Sequence, residues 1–169
     1  MHTFCASFPP IIDENARVLV LGSMPSAASL AAGEYYAHPR NAFWPILFAI
    51  WDLPPRADYR QKVAHALSHQ VAIWDVAKTC YREASSDASI HGAQINDFEA
   101  LFASYPKIHT VFFNGRLAES LFKRTVQSVT SNRQRTPLPS TSPAYTLSFD
   151  QKKAAWHAVR LALGKAKGL

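Results

Sequence analysis

Three short apolar runs, each followed by a polar segment, constrain the fold of this chain more than any other feature. Residues 17–22 read RVLVLG, residues 71–74 read VAIW and residues 108–113 read IHTVFF. Apolar runs of this length without alternating polar positions are typical of strands buried on both faces of a parallel sheet. A weaker fourth strand is predicted at residues 136–139.

Segments with helical spacing of apolar residues separate these runs. The predicted helices cover residues 44–52, 58–69, 95–103 and 116–125, and a last helix opens at Asp150. Asn96 or Asp97 is suited to cap the third of them. Strands that alternate with helices favour an α/β fold in which a parallel sheet is covered on both sides.

The polar segments between these elements are predicted to be loops. They cover residues 22–42, 75–94, 113–116 and 126–149. Three of the four directly follow a strand, and the last surrounds the weak fourth strand. Because ligands of parallel sheets bind beyond the carboxyl ends of the strands, we expect these loops to converge on one site.

The chain is long enough to fold as one domain without covalent cross-links. With 169 residues, 48% of them hydrophobic, it can bury about 70% of the surface that it exposes when unfolded. We therefore expect a single domain over residues 1–169. Cys5 and Cys80 are compatible with two free thiols or with one disulfide, but two cysteines alone hold neither zinc nor an iron–sulfur cluster.

The charge balance favours a polyanionic partner. The 18 Lys and Arg residues exceed the 12 acidic residues, which gives a net charge of +6 and a pI of about 9.5. Such a balance suits a nucleic acid, although it serves simple solubility equally well. No secretory signal is visible and no apolar run approaches roughly 18 residues. The sequence therefore predicts a cytoplasmic protein that does not bind membranes.

The first loop contains two candidate binding segments. Residues 22–26 read GSMPS, which lacks the glycine spacing and the lysine of a phosphate-binding loop. Residues 32–44 read AGEYYAHPRNAFW, where Asn41 can hydrogen-bond a base, a sugar or a water and the aromatic rings can stack on a base. The alternative is structural: Phe43 begins a core helix that Asn41 caps.

Three further polar positions follow strands. Asp75 ends the second strand and is suited to accept a hydrogen bond from a base N–H or to bind loop amides. Asn114 lies in an Asn-Gly turn after the third strand. Residues 138–143 read LPSTSP, whose hydroxyl groups can bind phosphate but are also typical of a solvated turn.

Residue sets typical of nucleophilic or metal catalysis are missing from the sequence. No serine lies in a nucleophile-elbow motif, and neither cysteine has a histidine nearby in sequence. His65 and His69 are four residues apart on a predicted helix but lack a third ligand. The sequence therefore offers no convincing residue set for nucleophilic catalysis and no spacing typical of a metal site.

Taken in chain order, these loops resemble those of the uracil-DNA glycosylase superfamily. GSMPS resembles the first motif of that family, and LPSTSPA at residues 138–144 resembles the second. AHPRNAFW at residues 37–44 resembles a segment of the mismatch-specific uracil glycosylases, and FFNG at residues 112–115 fills the third strand tip. The hypoxanthine-DNA (deoxyinosine) glycosylases are the nearest branch. This resemblance implies a three-layer α/β/α sandwich with a short, mainly parallel four-stranded sheet.

The resemblance also implies which residues are catalytic. Uracil-directed mismatch-type relatives carry a water-positioning Asn as the third residue of the first motif, where this chain has Met24, and an Asn where this chain has Ser140. The deoxyinosine branch resembles this chain in both respects. There, the Asn of the HPxN segment is implicated in catalysis, with the Asn of FNG in support, which implies Asn41 and Asn114 here.

Base-binding and DNA-binding residues are implied in the same way. Phe43 falls where the family stacks an aromatic ring on the flipped base, and Asp75 falls where classical uracil glycosylases place a base-reading Asn. Ser23, Met24 and Tyr36 complete the predicted base-binding set. The predicted contacts to the DNA backbone are Ser140, Thr141, Ser142 and Pro143.

The implied function is that of a monofunctional DNA repair glycosylase that uses no metal and no cofactor, and we expect it to be a monomer. It flips a deaminated base out of double-stranded or single-stranded DNA and hydrolyses the N-glycosidic bond, leaving an abasic site. Because Met24 cannot orient water, hypoxanthine is the predicted base, with uracil and xanthine as alternatives. Two other classes stay open: a non-catalytic nucleic-acid-binding module, and a hydrolase of free nucleosides or nucleotides.

Overall fold

The computed structural model describes residues 1–126 and 132–164, in which seven strands and six α-helices are found. The strands are β1 (Thr3–Ala6), β2 (Val18–Gly22), β3 (Val71–Asp75), β4 (Ala77–Arg82), β5 (His91–Ile95), β6 (Thr110–Asn114) and β7 (Gln134–Leu138). The helices are α1 (Ala27–Ala32), α2 (Phe43–Ala49), α3 (Tyr59–Ser68), α4 (Phe98–Ser104), α5 (Arg116–Thr125) and α6 (Phe149–Gly164). Within these described ranges, no helix has the length and apolarity needed to span a bilayer.

The centre of the fold is a parallel sheet in the order β3-β2-β6-β7. These are the four strands expected from the sequence, so that prediction is confirmed. In the sheet register Gly22 lies opposite Asp75, and Asn114 lies opposite Leu138. The polar residues that end the strands therefore share one edge of the sheet.

Helices cover both faces of this sheet and bury a core on each side. On one face, rings of α2 and α6 pack against β2, and this core includes Val18, Val20, Phe43, Trp44 and Trp156. On the other face, α4 and α5 pack against the sheet, and this core includes Leu19, Leu21, Phe98, Phe113 and Phe122. The three-layer α/β/α sandwich is confirmed.

The segment at residues 75–94 differs from the predicted loop. It forms β4 and β5, which join β1 in a separate antiparallel sheet in the order β1-β4-β5. The prediction was wrong because β4 alternates buried and exposed positions and so lacks a continuous apolar run. Cys5 lies directly opposite Cys80 in this sheet, and both are buried free thiols.

The first loop also contains a short helix, α1, that the sequence reading missed. Its N-terminus is capped by Ser26, whose hydroxyl oxygen accepts a hydrogen bond from the backbone N–H of Ser29 at 3.1 Å. Of the two candidate caps for α4, Asp97 is the one used, and it accepts from the N–H of Ala100. Gly115 adopts a φ of 94° between β6 and α5, a conformation that favours glycine.

Trp156 is expected to be a major contributor to stability. It is fully buried, its ring lies 5.7 Å from that of Phe43, and its indole N–H donates to the carbonyl of Pro139. We expect Trp156→Ala to lower the free energy of unfolding by about 3–5 kcal/mol, measured by urea denaturation. The control Leu161→Ala, on the same helix but 55% exposed, should change it by no more than about 0.5 kcal/mol. Equal losses in the two variants would contradict this assignment.

Candidate active site

The carboxyl ends of β2, β3 and β6 open into a cavity of about 350 Å³, a volume typical of small-molecule sites. The expected convergence of the strand-end loops is therefore observed. The cavity is lined by Gly22, Ser23, Met24, Pro25, Ser26, Ser29, Tyr35, Tyr36, Asn41, Asp75, Arg82, Ser85, Ser86, Asp87, Asn114, Ser140, Thr141, Ser142 and Ala144.

Thr141 ties three segments of the site together. The side-chain amide of Asn114 donates to the hydroxyl oxygen of Thr141 at 2.9 Å, and the backbone N–H of Thr141 donates to Oδ1 of Asn114 at 2.9 Å. The backbone N–H of Ala42 donates to the carbonyl of Thr141 at 3.0 Å. Asn114 therefore holds the loop after β7 against the tip of β6, and its catalytic role stays a prediction.

The burial and the hydrogen bonds of Thr141 contradict one of the four predicted contacts to the DNA backbone. Thr141 is only 1% exposed, and its polar atoms are used within the protein, so it does not present its hydroxyl to a phosphate. Ser140 and Ser142 line the cavity and are partly exposed, while Pro143 is exposed beside them. These three residues keep their predicted place at the mouth of the site.

Asn41 lies two residues before the first residue of α2 and lines the cavity. Its Oδ1 accepts a hydrogen bond from the backbone N–H of Phe43 at 2.9 Å, and its own N–H donates to the carbonyl of His38. The amide oxygen and nitrogen are thereby distinguished by the hydrogen-bond pattern. One lone pair of Oδ1 and the side-chain NH₂ make no hydrogen bond to the described residues and remain available to a ligand.

Phe43 does not have the predicted role of stacking on a base. Its side chain is fully buried, and it is absent from the cavity wall. The ring of Tyr36 stacks on it, with centroids 3.9 Å apart and planes at 21°. Tyr36 therefore presents the aromatic surface in the cavity, with Phe43 behind it. Tyr36 has a φ of 55°, a conformation that is strained for a bulky residue and clusters at functional sites.

Asp75 is buried at the end of β3, where predicted. Its side chain is 3% exposed, and Oδ2 has no hydrogen-bond partner among the described residues. A Cβ on Gly22 would lie 2.6 Å from Oδ1 of Asp75 and 3.0 Å from the hydroxyl of Tyr36. The absence of a side chain at Gly22 lets both polar groups approach the strand end.

Two charged residues that the sequence reading missed lie in the wall opposite. Arg82 ends β4, is 1% exposed and donates to the carbonyl of Pro25. Asp87 follows in a 3₁₀ turn and accepts a hydrogen bond from the hydroxyl of Ser23 at 3.2 Å. Both come from the segment interpreted as a loop, where nothing indicated which side chains point inward.

Burial dominates the titration of the acids in this cavity. It raises the pKa of Asp75 to about 7, an effect that Arg82 counters and Asp87 reinforces. Burial also raises the pKa of Asp87, while Ser23 and Arg82 oppose the rise. The pKa of the Tyr36 hydroxyl is raised by burial and by Asp75; the nearby Asn114 amide offsets part of this without forming a hydrogen bond to it.

Met24 and Lys152 connect the site to the elements that pack around it. Met24 is 7% exposed and packs with Cys5 and Cys80, so it joins the cavity wall to the antiparallel sheet. Lys152, in α6, is 4% exposed, and its ammonium donates to the carbonyl of Ser142 at 3.0 Å. Burial lowers the pKa of Lys152. Its inward orientation depends on the packing of α6 and was not visible in the sequence.

In the part of the chain that the structure describes, no three His, Cys, Asp or Glu side chains gather as a metal-binding group. His65 and His69 instead belong to an aromatic cluster, in which His65 stacks on Phe48 at 3.9 Å and His69 lies beside Trp51. The imidazole Nε2 of His65 is engaged with the carbonyl of Leu47.

Comparison with known proteins gives concordant results. The sequence model of the Uracil DNA glycosylase superfamily matches residues 9–162. A hypoxanthine DNA glycosylase of Methanosarcina acetivorans is 33% identical over 153 residues, which cover 90% of this chain and 95% of that protein. One of Methanosarcina barkeri is 36% identical over 110 residues, 64% of this chain and 70% of that protein.

The fold is similar to a solved structure as well. The solution NMR structure of a candidate uracil DNA glycosylase from Methanosarcina acetivorans superimposes with a TM-score of 0.76 at 30% sequence identity. The superposition covers 94% of this chain and 99% of that one.

The raised pKa of Asp75 predicts a pH-dependent effect on stability. Between the ordinary value of 3.8 and about 7, the native state holds the Asp75 proton more tightly than the unfolded chain does. The free energy of unfolding contributed by Asp75 therefore falls as pH rises through this window and is constant above it. Asp75→Asn should remove this fall. The free energy of unfolding of the variant minus that of the wild type should therefore rise by roughly 2–4 kcal/mol from pH 4 to pH 8.

The measurement is urea denaturation of both proteins across this pH range. Glu14→Gln is the control, because it removes a carboxyl group from an exposed position outside the helices and strands. A difference between Asp75→Asn and the wild type that does not change with pH would show that Asp75 titrates normally.

Proposed function

The chain belongs to the uracil DNA glycosylase superfamily, and on this premise we propose that it excises hypoxanthine from DNA. It is a DNA glycosylase, an enzyme that hydrolyses the N-glycosyl bond of a base in DNA. The observation that carries the choice of base is the cavity at the strand ends, where a stacking ring, a buried carboxyl group and a free amide face one space. The names of the two Methanosarcina relatives support the same base.

Base recognition begins with extrusion of the nucleotide from the stack. This costs a few kcal/mol and is cheaper for a mispaired base such as hypoxanthine. In the proposed complex the base stacks on Tyr36, whose ring is backed by Phe43, and stacking on an aromatic contributes roughly 1–3 kcal/mol per base. Oδ2 of Asp75 accepts the N1–H that hypoxanthine carries and adenine lacks.

The hydrolysis itself breaks the bond between C1′ and the base nitrogen. The bond electrons leave with the base, positive charge develops on the sugar, and a water oxygen attaches to C1′ while the proton that it loses passes to the departing base. Asn41 holds the attacking water or the departing base, since an amide is too weak a base to take the proton. Neutral hydrogen-bonding groups around the base stabilise its developing negative charge.

The DNA strand is proposed to lie across the loop after β7. Ser140 and Ser142 present hydroxyl groups and backbone amides suited to phosphate. The ammonium of Lys152 lies directly behind the carbonyl of Ser142, so its charge favours a phosphate at this position. We propose duplex DNA as the substrate and a monomer as the active form.

A glycosylase explains the site better than either rival function. A non-catalytic binding module needs an exposed basic surface, whereas here the polar groups are buried at the floor of a cavity. A hydrolase of free nucleosides has no need for the hydroxyl loop or for a net charge of +6.

The substrate is tested with labelled duplexes that each contain hypoxanthine, uracil, xanthine or normal bases only. After incubation with the protein, hot alkali cleaves the strand wherever a base has been removed. We expect the fastest cleavage at hypoxanthine and none in the normal duplex. Faster cleavage at uracil would overturn the choice of base, and activity on free deoxyinosine equal to that in DNA would favour the nucleoside hydrolase.

Asn41→Ala should slow single-turnover excision of hypoxanthine at least about 100-fold. The affinity for hypoxanthine-containing DNA, measured by fluorescence anisotropy, should stay close to that of the wild type. Asn15→Ala is the matched control, because Asn15 is exposed and its side chain makes no hydrogen bond among the described residues. Unchanged excision by Asn41→Ala would exclude Asn41 from the reaction.

A second variant at this position separates two roles of the amide. Asn41→Asp keeps the oxygen that accepts from the N–H of Phe43 but replaces the NH₂ donor by an acceptor. If Asn41 accepts a hydrogen bond from water, the aspartate variant should retain excision. If it donates to the base, the aspartate variant should be as slow as the alanine variant.

A further inference from the structure

Buried polar atoms without protein partners are concentrated in one place in this molecule. Among the described residues, four buried side-chain nitrogen or oxygen atoms make no hydrogen bond, and three of them belong to cavity residues: Tyr36, Asp75 and Arg82. Native proteins leave few such atoms unpaired, because each costs about 1–3 kcal/mol. Their clustering is the sign of a site that a polar ligand completes.

The unpaired atoms of Asp75 and Arg82 have opposite hydrogen-bonding character. Oδ2 of Asp75 is an acceptor, and Nε of Arg82 is a donor that can never act as an acceptor. No ion pair within 4.0 Å joins Arg82 to Asp75 or Asp87 in the described structure, since the four pairs found there involve other residues. The two atoms are therefore not satisfied by each other.

Arg82 is held firmly in this position. The alternation of β4 turns Arg82 and Cys80 inward, while Tyr81 faces solvent. The guanidinium donates to the carbonyl of Pro25 in the GSMPS loop. Arg82 is also the one basic side chain among the described residues of the cavity wall.

A base with a neighbouring N–H donor and carbonyl acceptor matches this pair of groups. Hypoxanthine presents N1–H beside O6, whereas adenine presents a bare N1 beside an NH₂ group. We propose that Arg82 is a specificity-determining residue that donates a hydrogen bond to O6 of hypoxanthine while Asp75 accepts the N1–H. The inference rests on the proposed function of the same site.

The arrangement rejects adenine at both positions. When Asp75 is ionised, the N1 of adenine would place an acceptor against its carboxylate, and the amino group of adenine would place a donor against the guanidinium of Arg82. A site built to hydrogen-bond a particular group discriminates strongly against an analogue that lacks it, because buried partners are left unpaired. Uracil, xanthine, guanine and thymine carry the same donor–acceptor edge, so this pair discriminates against adenine and cytosine only.

Arg82 also acts on the chemical step. As the glycosidic bond breaks, negative charge spreads over the leaving base and reaches O6. A fixed cation at O6 stabilises this charge more in the transition state than in the ground state, which raises the rate of bond cleavage. The other groups near the base are neutral or acidic, so Arg82 supplies the positive charge that they lack.

The test compares two bases that differ in one atom. Duplexes with deoxyinosine or 6-thio-deoxyinosine are treated with wild-type protein, Arg82→Met and Arg82→Lys under single-turnover conditions. The sulfur analogue keeps N1–H but replaces O6 by a poor acceptor. Arg82→Met should slow excision of hypoxanthine roughly 100-fold and excision of the sulfur analogue less than about 10-fold; Arg82→Lys should lie between the wild type and Arg82→Met for the oxygen base.

A merely structural role of Arg82 would slow both bases by the same factor, and that result would overturn the proposal. Arg124→Met is the matched control, because Arg124 is exposed at the far end of α5, and it should leave both rates unchanged. If thermal melting shows that Arg82→Met does not fold, the test uses Arg82→Lys. The factor by which this variant slows excision of hypoxanthine is then compared with the factor for the sulfur analogue. A wild-type protein that leaves both duplexes intact would instead refute the proposed function.

Discussion

The hydrogen bonds around Thr141 are the constraint on which the candidate site depends. Through them the tip of β6, the loop after β7 and the start of α2 are held to one another. Each segment carries a different group: Asn114, the serine hydroxyls and Asn41. A catalytic amide acts only when held in a narrow range of positions. The backbone hydrogen bond of Ala42 to Thr141 therefore fixes the chain next to Asn41, in addition to the side-chain hydrogen bond of Asn41 itself.

The second constraint is electrostatic and has a cost. Asp75 and Arg82 are removed from water without a close ion pair, which disfavours the charged form of the acid and costs stability. The left-handed backbone of Tyr36 adds to this cost. Such features persist where the surrounding fold compensates for them, and here two separate cores flank the sheet and a third, smaller cluster lies behind Met24. Groups left unsatisfied in the free protein are ready to bind a polar base.

Much of the fold and part of the site could be read from the sequence, for identifiable reasons. The runs at 17–22, 71–74 and 108–113 are continuous and apolar because both faces of their strands are buried. Asp75 and Asn114, the polar residues that end two of these strands, lie at one edge of the sheet because parallel strands have their carboxyl ends on the same side. Asn41 was identified as a site residue because it lies in the segment AHPRNAFW, which resembles a family motif. By contrast, β4 alternates buried and exposed residues, so the sequence predicted a loop there. Arg82 and Asp87 were therefore not identified as site residues.

The sequence by itself determined the layered α/β architecture, the edge of the sheet where polar groups gather and the motifs that resemble a glycosylase family. These depend on local periodicity and on chain order, which one sequence contains. Only the tertiary structure decided that Tyr36 covers Phe43, that Thr141 is a buried junction and that Arg82 enters the cavity. Such facts arise from contacts between residues far apart in sequence, such as Arg82 and Pro25, which are separated by 57 positions. The direction of a side chain at such a contact is set by packing and not by its neighbours in sequence.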